Sequence, residues 1–233
     1  MRRIATHQNR KIETLRTCRY FQDVNDAILE EISLGMQLCR YESGEAVFWE
    51  GDASKGLYII EKGSVRLYKS SLQGRELVLQ VFGEGESFNE VPVFDRETNP
   101  VNVAALEDSL VWVVDAGAIR ACLDKYPEVA KAIVLNLSKN LRMLVEKVAE
   151  LSFFQVTNRL ARLLARLPDE QLMGQTDIRL TRDELAARLG TVREVVVRSL
   201  RELERSGAIQ VSRTKIEIVD EARLQDWIES PNL

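Results

Sequence analysis

Residues 181–211 have the sequence TRDELAARLGTVREVVVRSLRELERSGAIQV, which is the pattern of two short helices joined at Gly190. In the second helix Val196, Leu200 and Leu203 recur at spacings of four and three residues, so they share one face. The apolar face of the first helix is formed by Leu185, Ala186 and Leu189. Because glycine accepts the tight backbone turn between them, the run predicts a helix-turn-helix unit.

The second helix of this unit carries polar side chains away from its apolar face. Arg193, Glu194 and Arg198 lie at its start, and Arg201 and Arg205 follow. Arginine can donate two hydrogen bonds to O6 and N7 of guanine, and glutamate can accept one from N4 of cytosine. The start of the second helix is the end that enters the DNA major groove, so this pattern predicts base reading. The alternative is a solvated helix with pairs such as Glu194–Arg198, each stabilising it by about 0.2–0.5 kcal/mol.

The flanks of the unit add candidate contacts to DNA phosphates. The segment SRTKIEI, residues 212–218, predicts one arm of a two-stranded wing. Residues 152–220 contain 12 Lys or Arg against 10 Asp or Glu, whereas the whole chain has a net charge of −4. The positive charge therefore lies in the segment predicted to bind DNA. The expected phosphate-contacting residues are Thr181, Arg182, Arg201, Arg213 and Lys215.

A long helix is predicted from Pro127, because proline suits a first helical turn and no further Gly or Pro occurs as far as Leu151. Its apolar residues recur at alternating spacings of three and four, as in a parallel two-stranded coiled coil. The alternative is a helix that only packs against its own β domain. The expected dimer seam consists of Val134, Leu137, Leu141, Leu144, Val148 and Leu151.

Residues from about 40 to 115 contain short apolar runs separated by glycines, such as LYII, SVRLYK and SLVWVV. These runs predict strands of a small β barrel or jelly roll, preceded by a short helix in VNDAILEEISLGM. The expected domains are an effector-sensing β domain at 1–126, a dimerisation helix at 127–152 and a winged helix-turn-helix domain at 153–233. The fold class is therefore α+β.

The bulk composition narrows the possible functions. The chain has 233 residues, of which 45% are hydrophobic and 29% charged, and no apolar run reaches the roughly 18 residues of a membrane span. We therefore expect a cytoplasmic protein without a membrane partner.

Cys18, Cys39 and Cys122 are far apart, and His7 is the only histidine, in an N-terminal segment expected to be mobile. No metal site is predicted, and the cysteines are interpreted as thiols without a role.

The chain resembles the cyclic-AMP receptor protein (CRP)/FNR family of bacterial transcription regulators over about residues 20–220. The most specific stretches are GEAVFWEGD, GLYIIEKGSVRLYK, VEKVAELSFFQVTNRLARLL and LAARLGTVREVVVRSLRELERSGAI. The resemblance implies a double-stranded β-helix domain, a homodimer, RNA polymerase as a partner, and half-sites like TGTGA read by Arg193, Glu194 and Arg198. Val195 and Val197 stand where relatives often have Thr and Ser or Gly, so some hydroxyl–phosphate bonds are missing.

The stretch ESFNEVPVFDRETNPVNV, residues 86–103, matches the ligand loop of that family. Members that bind cyclic nucleotides use a Gly-Glu pair and an Arg-Ser pair, which correspond here to Asn89-Glu90 and Asn99-Pro100. Neither Asn99 nor Pro100 can neutralise a phosphate, and proline has no N–H to donate. The resemblance thus argues against cyclic AMP, unless Arg96 replaces the missing charge. The residues assigned to the effector pocket are Asn89, Glu90, Asn99, Pro100, Leu141, Leu144 and Val145.

Glu90 also has an alternative role, since an acidic residue in a first helical turn is favourable without any ligand. An FNR-type iron–sulfur cluster is not expected, because its cysteine cluster is missing. Haem is an open alternative, with His7, the cysteines or Met143 as the available axial ligands. An unidentified, less polar effector and regulation by abundance alone also remain open. An enzyme or adaptor on the same β module is the rival class, but the sequence offers no nucleophile–base pair, phosphate loop or metal cluster, so we expect no enzyme.

Overall fold

The computed structural model describes residues 2–22, 24–175, 180–212 and 215–229. Contacts between Cα atoms divide the chain into two compact units. The first unit comprises the residues up to Lys69 together with Leu79–Leu141, and the second comprises Ser70–Val78 together with the residues from Arg142 onward. This division falls inside the long helix, and the domain limits 1–126, 127–152 and 153–233 stay a prediction.

The β domain consists of nine strands in two antiparallel sheets. One sheet has the strand order β1-β2-β9-β4-β7 and the other β3-β8-β5-β6. Each predicted apolar run lies in a strand, which confirms the prediction of a β domain in this region. The strands are β1 (Arg2–Ile4), β2 (Met36–Tyr41), β3 (Ala46–Phe48), β4 (Gly56–Lys62), β5 (Val65–Ser70), β6 (Glu76–Phe82), β7 (Ser87–Phe88), β8 (Asn102–Ala105) and β9 (Ser109–Asp115).

Within the five-stranded sheet, β4 is buried on both faces, which explains why its sequence is almost continuously apolar. Successive side chains of a strand point to opposite faces. Leu57 and Ile59 therefore join a core formed with the helices. Tyr58 and Ile60 join a second core inside the roll.

Four helices flank this domain: α1 (Gln8–Thr17), α2 (Asp26–Ser33), α3 (Glu90–Asp95) and α4 (Ala116–Lys125). Asn25 caps α2 by accepting from Ile28 N at 3.1 Å, and Asp115 caps α4 by accepting from Ala118 N at 2.9 Å. The expectation of a mobile N-terminal segment is wrong for α1 and the turn after it. Leu15 and Tyr20 are fully buried there, because they fill the core on the outer face of the sheet.

The long helix α5 extends from Pro127 to Phe153, as the absence of Gly and Pro predicts. Its first turns pack on the first unit through Val129, Ile133 and Leu137. Among the described residues no helix has the length and apolarity needed to cross a membrane.

The second unit has the predicted helix-turn-helix and wing. Leu160 and Leu164 form its core together with the inward faces of the two helices. The wing strands pair antiparallel, with Ile209 opposite Ile218. A short helix precedes the helix-turn-helix, and one more helix follows the wing. The elements are α6 (Val156–Arg166), α7 (Asp169–Leu172), α8 (Arg182–Leu189), α9 (Arg193–Arg205), β10 (Ile209–Val211), β11 (Ile216–Ile218) and α10 (Glu221–Glu229).

Candidate DNA-reading helix and effector region

The turn between α8 and α9 is built as the sequence predicts. Thr181 Oγ1 accepts from Glu184 N at 3.1 Å, which caps α8. Gly190 ends that helix with a φ of 62°, a left-handed conformation that a residue with a Cβ adopts at a cost. Val192 occupies the N-cap of α9, where its side chain offers no oxygen and its backbone carbonyl accepts from Val195 N at 3.1 Å. The N–H groups of Arg193 and Glu194 therefore depend on solvent or on an external acceptor.

The outer face of α9 has the three residues expected to read bases. Arg193, Glu194 and Arg198 are all exposed, whereas Val196 and Leu203 on the inner face are fully buried. Arg193 Nη1 lies 3.3 Å from Asp183 Oδ2, and both side chains are well exposed. An exposed ion pair of this kind stabilises by about 1 kcal/mol at most, so DNA can displace Asp183 from Arg193. The base-reading roles themselves stay a prediction.

A buried polar chain holds α9 against α6, and the sequence analysis missed it. Thr157 Oγ1 lies 2.9 Å from Ser199 Oγ and 2.6 Å from Glu202 Oε2. Arg159 Nη1 donates to the carbonyl oxygen of Leu189 at 2.7 Å, which ties α6 to the end of α8. The sequence contained one sign of this polar contact: Ser199 is a polar residue among the inward-facing apolar positions of α9. These bonds fix the angle at which the outer face of α9 is presented.

The residues expected to contact phosphates lie in varied settings. Arg201 is exposed on α9, and Arg182 is half-buried in the first turn of α8. Lys215 is exposed on the wing, where its Nζ lies 3.0 Å from Glu217 Oε2. Thr181 uses its oxygen in the cap. Arg213 lies outside the described residues, so its role remains a prediction from the sequence.

In the effector region, Asn89 and Asn99 are hydrogen-bonded to each other. Asn89 has a φ of 72°, and its Nδ2 donates to Asn99 Oδ1 at 3.1 Å. The same group lies 3.2 Å from both Ser54 Oγ and the carbonyl oxygen of Gly56. Asn99 is only 2% exposed, and its own N–H donates to the carbonyl oxygen of Asp52 at 2.9 Å. Two of the residues assigned to the effector pocket are thus hydrogen-bonded to each other.

Glu90 is directed at the N-terminal segment of the chain. Its carboxylate accepts from the hydroxyl of Tyr20, and Arg19 Nη2 lies 3.7 Å away. Burial raises the pKa of Glu90, and the hydrogen bond from Tyr20 opposes part of that effect. In this structure the Glu90 carboxyl group therefore takes part in hydrogen bonding within the core of the first unit. Its assignment to an effector pocket stays a prediction.

Two further residues of this segment are at the surface. Pro100 is exposed, and its carbonyl oxygen accepts from Lys69 Nζ at 2.9 Å. Arg96 follows α3 with a φ of 63° and lines an open groove of about 520 Å³, together with Thr98 and Arg120. Arg96 therefore lies near the loop. Among the hydrogen bonds and ion pairs of the described residues, none joins Arg96 to Asn99.

Aromatic side chains fill the inside of the roll. The ring of Tyr58 stacks on Phe88 at a centroid distance of 5.1 Å and lies 5.2 Å from Phe48. Phe82 lies 5.9 Å from Phe88 on its other side. All four side chains are buried. The interior of the roll is thus occupied by the protein's own side chains.

The predicted dimer seam is largely exposed in the single chain. Leu137 is the exception, because it packs half-buried on the core of the first unit. Val145, assigned to the effector pocket, is 61% exposed on the same helix. The exposed fractions of the other seam residues are 61% for Val134, 62% for Leu141, 47% for Leu144, 63% for Val148 and 43% for Leu151. A continuous apolar stripe of this length is typical of a surface that another molecule covers.

Cys18, Cys39 and Cys122 are buried thiols outside any disulfide. Burial raises the pKa of Cys18 to about 11, so this thiol stays protonated and unreactive at neutral pH. In the part of the chain that the structure describes, no three His, Cys, Asp or Glu side chains come together as metal ligands would.

Known proteins match both regions of the chain. Residues 38–126 match the cyclic nucleotide-binding domain, and residues 158–227 match the Crp-like helix-turn-helix domain. A cyclic AMP receptor protein from Thermus thermophilus is 30% identical over 200 residues, which cover 84% of this chain and 92% of that protein. The match therefore includes nearly the whole of the relative.

Solved structures agree with this relationship. A transcriptional regulator assigned to the CRP/FNR family from Eubacterium rectale superposes with a TM-score of 0.75 at 24% identity, covering 91% of this chain and 99% of that one, which supports the fold. The c-di-GMP-responsive global regulator CLP from Xanthomonas campestris superposes with a TM-score of 0.72 at 26% identity, covering 84% and 100%. The chain belongs to the CRP/FNR family of DNA-binding transcription regulators.

Proposed function

We propose that this regulator works as a homodimer that binds an inverted-repeat operator, with α9 of each subunit in a major groove. The exposed apolar stripe of α5 supports the dimer. Two recognition helices related by a two-fold axis would meet grooves about one helical turn, roughly 34–36 Å, apart. The operator would then consist of two half-sites in opposite orientation.

The observation that carries this proposal is the outer face of α9. Arg193, Glu194 and Arg198 are exposed at its N-terminal end, while its inner face is fixed in the core of the second unit. We infer that both arginines bind guanines and that Glu194 accepts from the cytosine of a base pair. Half-sites similar to TGTGA follow from this assignment by resemblance to the family.

Contacts to phosphates would set the register of the protein on DNA without reading sequence. We expect Arg182, Arg201 and Lys215 to contact phosphates around the reading face, and Thr181 and Arg213 complete the proposed set. RNA polymerase is the expected partner on the promoter, as in related regulators. The protein would act through binding and not as an enzyme.

We further infer that cyclic AMP is not the effector, although the relative from Thermus thermophilus is named as a cyclic AMP receptor. A cyclic phosphate needs a cation and donors at the loop, and Asn99 with Pro100 provides neither an arginine nor a hydroxyl. The Asn89 amide is already bonded to Asn99, and aromatic rings fill the roll. The name of CLP as a c-di-GMP-responsive regulator supports the view that ligands differ among relatives.

Selection of bound sequences from a random duplex pool tests the DNA-binding proposal. We expect a two-fold symmetric motif for the wild type and loss of preference at one base pair per half-site for Arg198→Ala. Each lost bidentate contact should weaken binding by about 1–3 kcal/mol. Lys215→Ala is the matched control, because loss of a phosphate contact should weaken all sequences alike. A motif without symmetry, or an unchanged motif for Arg198→Ala, would contradict the proposal.

A further inference from the structure

Val197 is an apolar residue on the reading face of α9. It follows Arg193 by four positions and Glu194 by three, and it precedes Arg201 by four, so all three are its neighbours on the helix surface. Its side chain is half-buried, unlike that of Val196, which is completely buried in the core of the second unit. Val197 thus borders the three charged neighbours while keeping part of its surface exposed.

The core does not require a valine at this position. The inner face of α9 is already formed by Val196, Leu200 and Leu203 in the core of the second unit, whereas Arg198 and Arg201 are exposed. Helix stability does not favour valine either, because a β-branched side chain is a weaker helix former than alanine. Contact with a ligand of α9 is a role that an apolar group at this position can serve.

Val195 provides an internal comparison on the same helix. It is also half-buried, but it is four positions from the buried Ser199 and two turns from Glu202. This places it on the flank of α9 away from Arg193. The two valines therefore have the same chemistry and similar exposure, and they differ in the side of the reading face on which they lie.

The chemistry of the major groove identifies one partner for an apolar side chain. Thymine is the base that presents a methyl group there, at C5, whereas the other edges present hydrogen-bond donors and acceptors. A valine between charged side chains can contact that methyl and exclude water from it. It cannot satisfy a donor or acceptor, so it also disfavours the other bases at the same position.

We propose that Val197 determines specificity by contacting the C5 methyl of one thymine in each half-site, on the Arg193 side of the reading face. This inference rests on the proposed function, because it requires α9 to lie in the major groove. It adds a base position that hydrogen bonding by Arg193, Glu194 and Arg198 does not read.

Replacement of thymine by deoxyuridine tests this contact, because it removes only the C5 methyl. The operator is first selected from a random pool, and each thymine of the half-site is then replaced in turn while binding is measured by fluorescence anisotropy. For the wild type we expect one thymine whose replacement weakens binding by about fourfold per half-site, the effect of losing one buried methyl group. Replacement in both half-sites should weaken binding by about 16-fold.

Two variants assign the effect to its residue. Val197→Ala should bind thymine and deoxyuridine operators equally, because the side chain that contacts the methyl is gone. Val195→Ala is the matched control and should keep the fourfold difference of the wild type. Circular dichroism melting checks that both variants fold, which alanine on a helix surface favours.

The outcomes separate this inference from the proposed function. A symmetric motif with no thymine that responds to the replacement would overturn the role of Val197 and leave the operator model intact. Persistence of the difference in Val197→Ala, or its loss in Val195→Ala, would also overturn it. Failure to select any motif would remove both the inference and the DNA-binding proposal.

Discussion

At the residue scale, Glu90 shows how a carboxyl group from a ligand loop can become part of a core. It lies next to Tyr20 and Arg19, which precede it by about 70 residues. Burial raises its pKa, so the folded protein binds a proton more readily than the unfolded chain. The stability that the protonated group provides is complete below the unfolded pKa of about 4.3 and is lost as pH rises through the higher folded pKa.

Glu90→Gln should therefore stabilise the protein at neutral and alkaline pH. Glutamine stays uncharged and can still accept from the Tyr20 hydroxyl, so the cost of burying a charge disappears. We expect a higher melting temperature than wild type at pH 8 and a difference that shrinks toward pH 4. The melting temperatures are measured by thermal unfolding followed by circular dichroism, with the exposed Glu97→Gln as control. Destabilisation at pH 8 that shrinks toward acidic pH would indicate that the ion pair with Arg19 dominates.

The sequence predicts single residues well where the reason is local. The Gly190 turn is confirmed, and like the cap that Thr181 provides to Glu184 it depends on neighbours within a few positions. The hydrogen bond between Asn89 and Asn99 could not be predicted from the sequence, because it requires the left-handed backbone conformation of Asn89. The contact of Thr157 with Ser199 was missed for a similar reason: it joins residues 42 positions apart.

At the element scale, α5 combines two surfaces on one helix. Ile133 faces the core of the first unit, while most of the heptad stripe is exposed. Leu137 belongs to the seam by its spacing, but it packs on the chain's own core. The two alternatives for this helix were packing on its own domain and pairing with a second chain. They apply to different parts of the helix. Periodicity alone could not separate them, because both produce the same apolar spacing.

Leu144→Glu should dissociate the dimer. The two-fold axis would place a carboxylate opposite its copy in an apolar interface, where an unpaired charge is strongly unfavourable. Sedimentation velocity at micromolar concentration should show a monomer for this variant. Leu135→Glu is the control, since Leu135 is 56% exposed on α5 but lies off the heptad stripe, and it should remain dimeric. A dimeric Leu144→Glu would mean that the seam is assigned to the wrong residues.

Elements with weak patterns were the ones that the sequence did not reveal. Helix α1 contains only Ile12 and Leu15 as large apolar residues, so its formation depends on packing against α2 and the sheet. Helix α7 has only four residues, which is too short for a periodic signal. The strands and α9 were predictable because their patterns continue over several turns or alternations.

At the scale of the whole molecule, a family architecture for ligand-dependent DNA binding is combined with an altered ligand loop. The match to a cyclic nucleotide-binding domain covers residues 38–126, which contain most strands of the roll. The polar positions are different: Asn99 and Pro100 replace the pair expected to hold a phosphate. A domain match therefore transfers the fold and the DNA-binding role more securely than it transfers the ligand.

Cyclic AMP at millimolar concentration should change neither the melting temperature nor the affinity for the selected operator. A ligand that bound only the folded state at 100 times its dissociation constant would stabilise it by about 2.7 kcal/mol, which differential scanning fluorimetry detects readily. The double variant Asn99→Arg/Pro100→Ser restores the missing cation and hydroxyl and serves as the matched comparison. We expect it to remain unresponsive as well, because Phe48, Tyr58 and Phe88 still fill the roll. A saturable micromolar response of the wild type would contradict the proposed absence of cyclic AMP binding. A response of the double variant alone would mean that Asn99 and Pro100 are sufficient to prevent the wild type from binding cyclic AMP.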